Sequence, residues 1–343
     1  MKKLKWGVIG CGGIADRQTI PGLMFAENAV LNAVMDLNYE LAKDVSSKYG
    51  NPAVCRTVEE LLSSDVDAVY IATPVFCHKE QAIAAIAAGK HVLIEKPVAL
   101  NTDDVREISG FAKEKNVKIS VGMMMRFHTY HQHVKAIIDE GKLGQIILAR
   151  AKFSCWYPKI ENCWRQQKEL GGGGALMDLG VHCIDLLQYI IGKKTLSVAA
   201  NCRNMTFGYE VDDTAAVFLN MESGISGYVD VNFNIPDAAS QSRVEIYGTK
   251  GSIIADGTLS QLEEGNLKVS LSEDGDGVTK QGKIMSYSPD KPNGNMYTKE
   301  IESFSNAILN DTEPEVSIDD AIHVQEIVDA AYESAEKLTF VSI

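Results

Sequence analysis

The first third of the chain alternates short apolar runs with segments whose apolar residues recur at helical spacing. The apolar runs predict five strands, at residues 6–9, 30–35, 68–71, 91–94 and 118–121. Helical patterns lie between them, at residues 14–26, 40–49, 58–63, 79–88 and 103–115. Continuously apolar strands joined through helices are typical of a parallel sheet that helices cover on both faces. The pattern therefore predicts an α/β, doubly wound Rossmann domain over residues 1–122.

The pattern changes after residue 122. Two helices are predicted at 128–140 and 175–191, and alternating runs follow at 147–153, 215–219, 227–233 and 244–247. The middle two runs flank Glu222-Ser223-Gly224, which indicates a hairpin. We expect an α+β second domain over residues 123–343 with an open, mainly antiparallel sheet.

The last part of the chain contains a polar segment and two helical patterns. Residues 273–295 are rich in Gly and Pro, which predicts a long loop or lid. The helical patterns at 298–309 and 318–338 need not belong to the second domain by sequence order, and we allow for their packing back on the first.

Composition restricts the class of protein. The 343 residues, 45% of them apolar, suffice for two cores, and 33 basic against 46 acidic residues give a net charge of −13. This charge argues against nucleic acid or an anionic membrane as a partner. The absence of an apolar export or spanning segment leads us to expect a cytoplasmic protein. The seven cysteines form no CxxC pair and are odd in number, so we expect free thiols and no metal.

A glycine-rich segment, Gly10-Cys11-Gly12-Gly13-Ile14-Ala15, follows the first strand and opens a helix. Gly10 permits a tight turn, Gly12 lets the backbone approach a pyrophosphate, and the helix N-terminus faces the phosphates. Asp36 ends the second strand, where a carboxylate binds ribose hydroxyls and repels the ribose phosphate of NADP. The segment predicts NAD as the cofactor in preference to NADP; a turn without a ligand is the alternative.

Two further groups of residues carry chemistry. Lys96 follows the strand at 91–94, and its ammonium can stabilise negative charge on a reacting oxygen; a surface cation is the alternative. Asp178 and His182 lie four residues apart on one predicted helical face, and Asp185 could offer the imidazole a further carboxylate. A core histidine is the alternative for His182. The glycines at 171–174 argue against it, because they permit close approach of the backbone to a ligand.

These segments together resemble the Gfo/Idh/MocA family of glucose-fructose oxidoreductases and inositol dehydrogenases. The resemblance covers essentially the whole chain and rests on residues 10–15, Ala72-Thr73-Pro74 with His78, residues 89–97, Trp164-Arg165, and residues 172–185. It implies a Rossmann domain, a second domain with an open antiparallel sheet, and a nicotinamide between them. Members oxidise a hydroxyl group of a sugar, cyclitol or related polyol to a carbonyl group, or catalyse the reverse reduction.

The resemblance also implies roles for individual residues. The catalytic trio corresponds to Lys96, Asp178 and His182. The residues near nicotinamide and substrate correspond to Trp164 and Arg165, and the remaining cofactor-side positions to Thr73, Pro74, His78 and Glu95. The sequence departs from the family pattern at Val75, often Asn, and at Met123-Met124-Met125. Arg126 and Tyr157 are further candidates for the sugar site, because their donors suit hydroxyl groups.

We therefore predict an NAD-dependent dehydrogenase that acts on a secondary alcohol of a sugar, cyclitol or glycoside through Lys96 and His182. Which of the two carries the proton stays open. The alternatives are a reductase of a sugar-derived ketone or a dihydrodiol-type substrate, and a non-catalytic cofactor-binding sensor. Apolar alternation at Tyr228, Val229 and Val231 with Phe233 predicts an exposed sheet face and a homo-dimer or homo-tetramer.

Overall fold

The computed structural model describes residues 2–272, 284–290 and 294–343. The chain forms two compact units. One comprises residues 1–124 and 295–323, and the other comprises residues 125–294 and 324–343.

The first unit is built on six parallel strands. They are β1 (Leu4–Ile9), β2 (Ala29–Met35), β3 (Ala53–Cys55), β4 (Ala68–Ile71), β5 (His91–Ile94) and β6 (Ile119–Val121). Their order across the sheet is β3-β2-β1-β4-β5-β6, the doubly wound arrangement that the sequence predicts. The sequence pattern missed β3, because three residues at a sheet edge are too short to show a period.

Helices connect these strands. A π-helical turn (Ala15–Thr19) continues as α1 (Ile20–Phe25), and α2 (Tyr39–Lys48), α3 (Val58–Leu62), α4 (Val75–Ala87) and α5 (Thr102–Glu114) follow. Three of the helices begin at a side chain that accepts a backbone N–H bond from the first turn. These caps are Asn38, Thr57 and Asn101. The local sequence thus determines where α2, α3 and α5 begin.

The second unit contains a nine-stranded mixed sheet. Its strands are β7 (Ile146–Ser154), β8 (Thr195–Arg203), β9 (Thr214–Met221), β10 (Ser226–Asn232), β11 (Arg243–Gly248), β12 (Gly251–Asp256), β13 (Asn266–Ser272), β14 (Ile284–Tyr287) and β15 (Val341–Ser342). They are ordered β14-β13-β12-β11-β7-β10-β9-β8-β15. β7 and β10 pair in parallel, and the other neighbours are antiparallel. The mainly antiparallel sheet and the hairpin of β9 and β10 are confirmed.

Two sequence interpretations of this sheet need correction. Part of the predicted 273–295 loop is strand β14, which pairs with β13; residues 273–283 and 291–293 lie outside the described residues. The second correction concerns the face of β10 that was expected to be exposed. Val229, Val231 and Phe233 are at most 1% exposed and belong to the core, whereas Tyr228 is 42% exposed. A period of two shows that the faces differ, but burial decides which face is covered.

The helices of the second unit carry the candidate catalytic segment. They are α6 (Thr129–Asp139), α7 (Lys168–Gly171) and α8 (Val181–Ile191), and a π-helical turn (Leu176–Gly180) leads into α8. Within the described residues, the helical stretch Lys168–Ile191 has a length and hydropathy that could span a membrane. Because 83% of its apolar window is buried, it is a core helix of this unit.

Two long helices, α9 (Met296–Leu309) and α10 (Ile318–Lys337), come near the end of the chain. α9 lies in the first unit and packs on α1, where Thr298 Oγ1 donates to the Gly22 carbonyl at 2.9 Å. The Trp6 indole donates to Ser305 and meets the Phe304 ring edge-on at 6.0 Å between ring centroids. The boundary between the units falls within α10, after His323.

Candidate functional site

The glycine turn after β1 has one side packed against protein and one side open. Gly10 has φ +94°, and a Cβ there would lie 2.9 Å from the Ala72 carbonyl at the end of β4. A Cβ at Gly12 would meet nothing within 4 Å. Gly13, also at positive φ, leads with Ile14 into the π-helical turn. The backbone is therefore accessible at Gly12, where the N-terminus of a helix can receive a phosphate group.

Asp36 holds this turn in place. Its Oδ2 accepts a hydrogen bond from the Cys11 N–H at 2.8 Å, and its Oδ1 accepts one from the Asn38 N–H at 2.8 Å. Each carboxylate oxygen keeps a second lone pair, so Asp36 retains the capacity to bind ribose hydroxyls. Burial, reinforced by the Asp36 charge, raises the pKa of Cys11 to about 12, so Cys11 stays a thiol.

A chain of hydrogen bonds links the first helix to the strand end that carries Lys96. Thr19 Oγ1 donates to the Tyr70 hydroxyl at 2.9 Å, and this hydroxyl donates to Glu95 Oε1. Glu95 Oε2 accepts from the Lys96 N–H at 3.2 Å. A Cβ at position 122 would approach Glu95 Oε1 to 3.1 Å, so Gly122 leaves the room that this carboxylate occupies.

A second carboxyl group lies near Glu95. Glu300, on α9, is 2% exposed; burial raises its pKa well above the ordinary value, and the Glu95 charge adds to the shift. Tyr297, one turn earlier, is also buried, and burial raises the pKa of its hydroxyl. Sequence reasoning missed both residues. The available signal was a Glu in the apolar stripe between Tyr297 and Phe304.

The residues after β4 connect two loops of this unit. His78 is buried, with its Nε2 2.8 Å from the Thr73 carbonyl oxygen and its Nδ1 3.0 Å from the Pro97 carbonyl oxygen. Thr73 Oγ1 donates to Gln81 at 2.6 Å, and Pro74 precedes the first residue of α4. His78 therefore ties the loop after β4 to the loop that contains Lys96.

In the second unit, Asp178 lies in the π-helical turn and His182 lies at the start of α8. The Val181 N–H donates to the Leu176 carbonyl, five residues back, so the turn is wider than the α-helix that the sequence predicts. The backbone between Asp178 and His182 therefore departs from a regular α-helix. Asp178 Oδ1 lies 3.6 Å from Arg165 Nε, and His182 is buried. Turns of this kind are frequent at functional sites.

Further candidates gather around Arg165. Its guanidinium lies 4.5 Å from the centroid of the Trp164 ring, a cation–π distance, and the charge of Asp178 raises the pKa of Arg165. The Tyr157 hydroxyl lies 3.1 Å from Cys163 Sγ, and burial raises the pKa of Tyr157 to about 12. The second unit thus brings together the predicted residues Tyr157, Trp164, Arg165 and Asp178.

Arg126 has a different environment. Its guanidinium is buried and binds both carboxylate oxygens of Asp185, with Nε donating to Oδ2 at 2.9 Å and Nη2 donating to Oδ1. It also lies 5.1 Å from the centroid of the Tyr189 ring. Asp185, which the sequence offers as a further carboxylate for the imidazole of His182, thus has the Arg126 guanidinium as a bidentate partner.

Two of the glycines before the π-helical turn, Gly173 and Gly174, leave room for neighbouring protein groups. A Cβ at Gly174 would collide with the Asp212 carbonyl oxygen, and one at Gly173 would collide with the Tyr332 hydroxyl. No motif in the sequence points to Asp212 or Tyr332. The one local signal was the pair Asp212-Asp213 directly before β9.

Comparisons with known proteins identify the family of both units. The model of an oxidoreductase family with an NAD-binding Rossmann fold matches residues 4–123, and that of the GFO/IDH/MocA C-terminal domain matches residues 131–254. The 1,5-anhydro-D-fructose reductase of Ensifer adhaerens is 29% identical over 93% of this chain and 92% of its own length. The trans-1,2-dihydrobenzene-1,2-diol dehydrogenase of Mus musculus is 32% identical over 72% and 73%, respectively.

Two more similarities concern the cofactor. The D-xylose 1-dehydrogenase (NADP(+)) 2 of Haloferax volcanii is 25% identical over 97% of this chain and 98% of its own. The structure of a levoglucosan dehydrogenase in complex with NADH and levoglucosan superposes with a TM-score of 0.88, is 26% identical and covers both chains completely. The predicted family resemblance is confirmed, and so is the broader enzyme class, an NAD(P)-dependent dehydrogenase or reductase.

Proposed function

Because the chain belongs to the GFO/IDH/MocA family of NAD(P)-dependent oxidoreductases, we propose that it transfers a hydride between NAD and a secondary alcohol of a sugar, cyclitol or glycoside. One observation carries the proposal: Lys96 follows β5 at the sheet edge where the glycine turn opens at Gly12. Ligands of doubly wound sheets bind at this edge. Three of the relatives named above, the anhydrofructose reductase, the xylose dehydrogenase and the levoglucosan dehydrogenase, are named for sugars or sugar derivatives.

NAD is the cofactor that we propose. The open backbone at Gly12 suits a pyrophosphate, and the half-buried Asp36 suits ribose hydroxyls and repels the phosphate of NADP. Free thiols, among them Cys163 beside Tyr157, suit a reducing compartment, and we propose the cytoplasm.

The residues of the chain would handle the proton and the charge on oxygen. Bound NAD supplies the acceptor for the hydride that leaves the carbinol carbon. His182 takes the hydroxyl proton as the C–O bond becomes a carbonyl, and the Lys96 ammonium stabilises the negative charge that develops on this oxygen. Asp178, held by Arg165, orients the substrate and the imidazole. General base catalysis of this type contributes roughly 10²- to 10⁴-fold.

The test is the kinetics of Lys96→Ala and His182→Ala on the best substrate from a panel of sugars, inositols and glycosides. Each variant should bind NAD and melt like the parent, yet lose turnover by about 10²-fold or more. Lys90→Ala is the matched control, because Lys90 precedes the same strand at its other end and donates to the Val66 carbonyl. Turnover within a few-fold of the parent in both site variants would show that the chemistry lies elsewhere.

A reductase acting on a sugar-derived ketone is the second candidate, since the Ensifer relative is named for the reduction of an anhydroketose. The same groups would work in reverse, with His182 donating the proton to the carbonyl oxygen. Oxidation of NADH by 1,5-anhydro-D-fructose, without reduction of NAD by any polyol in the panel, would favour this candidate. Dihydrodiols belong in the same panel because the mouse relative is named for one.

We further propose that the chain forms a homo-oligomer through the outer face of the nine-stranded sheet. Tyr228, Phe218 and Phe340 make a row of rings there, with centroids 5.1 and 5.8 Å apart. Arg150 and Asp230 form an ion pair beside the row. Apolar rings rimmed by both charges suit an isologous contact with a second copy. Light scattering should give a dimer or tetramer that Tyr228→Asp dissociates; a monomeric parent at micromolar concentration would exclude the assembly.

A further inference from the structure

We propose that Asp212 and Tyr332 are positioning residues for the reaction, because they hold the start of the helical segment that carries Asp178 and His182. The proposal rests on the proposed function of that segment. Neither residue needs to touch the substrate. Their effect would reach the chemistry through the backbone of residues 174–176.

Asp212 binds three consecutive backbone N–H groups. Its Oδ1 accepts from Gly174 at 2.8 Å, its carbonyl oxygen accepts from Ala175 at 2.9 Å, and its Oδ2 accepts from Leu176 at 2.9 Å. These N–H groups precede or open the π-helical turn, and Ala175 at its start supplies no capping side chain. Orphan N–H groups at a helix start need acceptors, and a carboxylate is the favoured one. Asp212 is therefore an N-cap supplied from 36 residues further along the chain.

Tyr332 fixes the orientation of this cap. Its hydroxyl donates to Asp212 Oδ1 at 2.7 Å, and it lies 3.3 Å from the Gly174 N–H. Burial raises the pKa of the Tyr332 hydroxyl well above the ordinary value, and the Asp212 charge adds to this, so the hydroxyl remains a donor. Gly173 and Gly174 lack the Cβ atoms that would collide with these partners. The backbone and the two side chains can therefore approach to hydrogen-bonding distance.

The held segment connects directly to the candidate catalytic residues. The Asp178 N–H donates to the Gly174 carbonyl at 2.9 Å, so the position of Gly174 sets where the turn around Asp178 begins. The Leu176 carbonyl accepts from Val181, the residue before His182. A displacement of residues 174–176 would thus move both candidate groups. Misplacement by about 1 Å can cost roughly 10²-fold in rate.

The neighbouring Asp213 has a separate task, which supports a specific role for Asp212. Asp213 is fully buried, and it accepts from the N–H groups of Met205, Thr206 and Phe207. The two adjacent carboxylates thus bind two different backbone segments. Of these two carboxylates, Asp212 is the one that binds the segment that leads to Asp178.

The experiment compares Tyr332→Phe and Asp212→Asn with Ser334→Ala in the full-length protein. Ser334, on the same helix as Tyr332, is the matched control. Its buried hydroxyl donates to the Thr339 carbonyl and accepts from the Ala200 N–H. Neither partner belongs to residues 174–176. We expect kcat to fall roughly 10-fold in Tyr332→Phe and roughly 10²-fold in Asp212→Asn, with an unchanged Kd for NAD. Ser334→Ala should melt lower but keep the parent kcat.

Hydrogen exchange supplies a second readout. The amides of residues 174–176 should exchange faster in Tyr332→Phe and Asp212→Asn, and at the parent rate in Ser334→Ala. If Asp212→Asn does not fold, the kcat and the hydrogen exchange of Tyr332→Phe alone test the proposal. A kcat within twofold of the parent in Tyr332→Phe, or an equal loss in Ser334→Ala, overturns the proposal while the proposed function stands. A parent that turns over nothing in the panel removes the proposed function, and this inference with it.

Discussion

The ion pair between Arg126 and Asp185 gives the sharpest test of how the second unit is held together. Arg126 is 5% exposed and Asp185 is 2% exposed, and the guanidinium binds both carboxylate oxygens. The substitution Asp185→Ala leaves the buried cation without this partner. Removing one member of a buried pair costs about 3–5 kcal/mol, because the remaining charge stays desolvated.

This free energy corresponds to a large change in melting temperature. For a unit of this size, each kcal/mol shifts Tm by about 2–4 °C, so Asp185→Ala should melt about 6–20 °C lower than the parent. Replacing both charges, in Arg126→Met/Asp185→Leu, removes the desolvated ions together. Such apolar replacements are often neutral or stabilising, so the double variant should regain most of the lost stability.

Calorimetry on the parent, Arg126→Met, Asp185→Leu and the double variant measures the coupling between the two residues, with Asp185→Ala measured alongside. Steady-state kinetics on Asp185→Leu and Arg126→Met separate a contribution of Asp185 to His182 from a contribution of Arg126 to substrate binding, because Arg126 is itself a candidate for the sugar site. A Tm for Asp185→Ala within about 1 °C of the parent would refute the magnitude. A double variant that melts no higher than Asp185→Ala would refute the argument that desolvated charge is the cause.

Three further predictions concern the first unit. Burial raises the folded-state pKa of Glu300, so the contribution of this carboxyl group to stability is present at low pH and is lost as the pH rises through that pKa. Glu300→Gln should therefore raise Tm near pH 9 more than near pH 5. The same Tm difference between variant and parent at both pH values would contradict this prediction. Gly12→Ala should melt like the parent but bind NAD more weakly, because its Cβ enters open space beside the turn. Gly10→Ala should melt at a lower temperature, because Gly10 has a positive φ and a Cβ there would collide with the Ala72 carbonyl after β4. Thermal melts and NAD titrations distinguish the two variants. The parent should bind NAD more tightly than NADP. Asp36→Ala should reduce the difference between the two affinities and should weaken the binding of both nucleotides, because the substitution also removes the acceptor of the Cys11 N–H. A fluorescence titration in which the parent binds NADP more tightly than NAD would overturn the cofactor assignment.

Local sequence was sufficient wherever the evidence lies within one element or one turn. The period of apolar residues predicted five of the six parallel strands, and the Gly10 to Ala15 segment marked the turn between β1 and the first helix. The helical segment that carries Asp178 and His182 was also predicted, but not the π-helical turn at its start. These features are local, because a turn or a helical face depends on residues only a few positions apart.

Tertiary structure decided which distant groups meet. Asp36 binds the turn at Cys11, Glu300 lies near Glu95, and Asp212 caps a helix that begins 36 residues before it. No period in the sequence specifies such pairs, because they arise when strand order and helix packing bring remote segments together. The same limit explains Tyr228. Alternation along β10 distinguished two faces of the strand, and only the packing of helices against the sheet determined which face became the core.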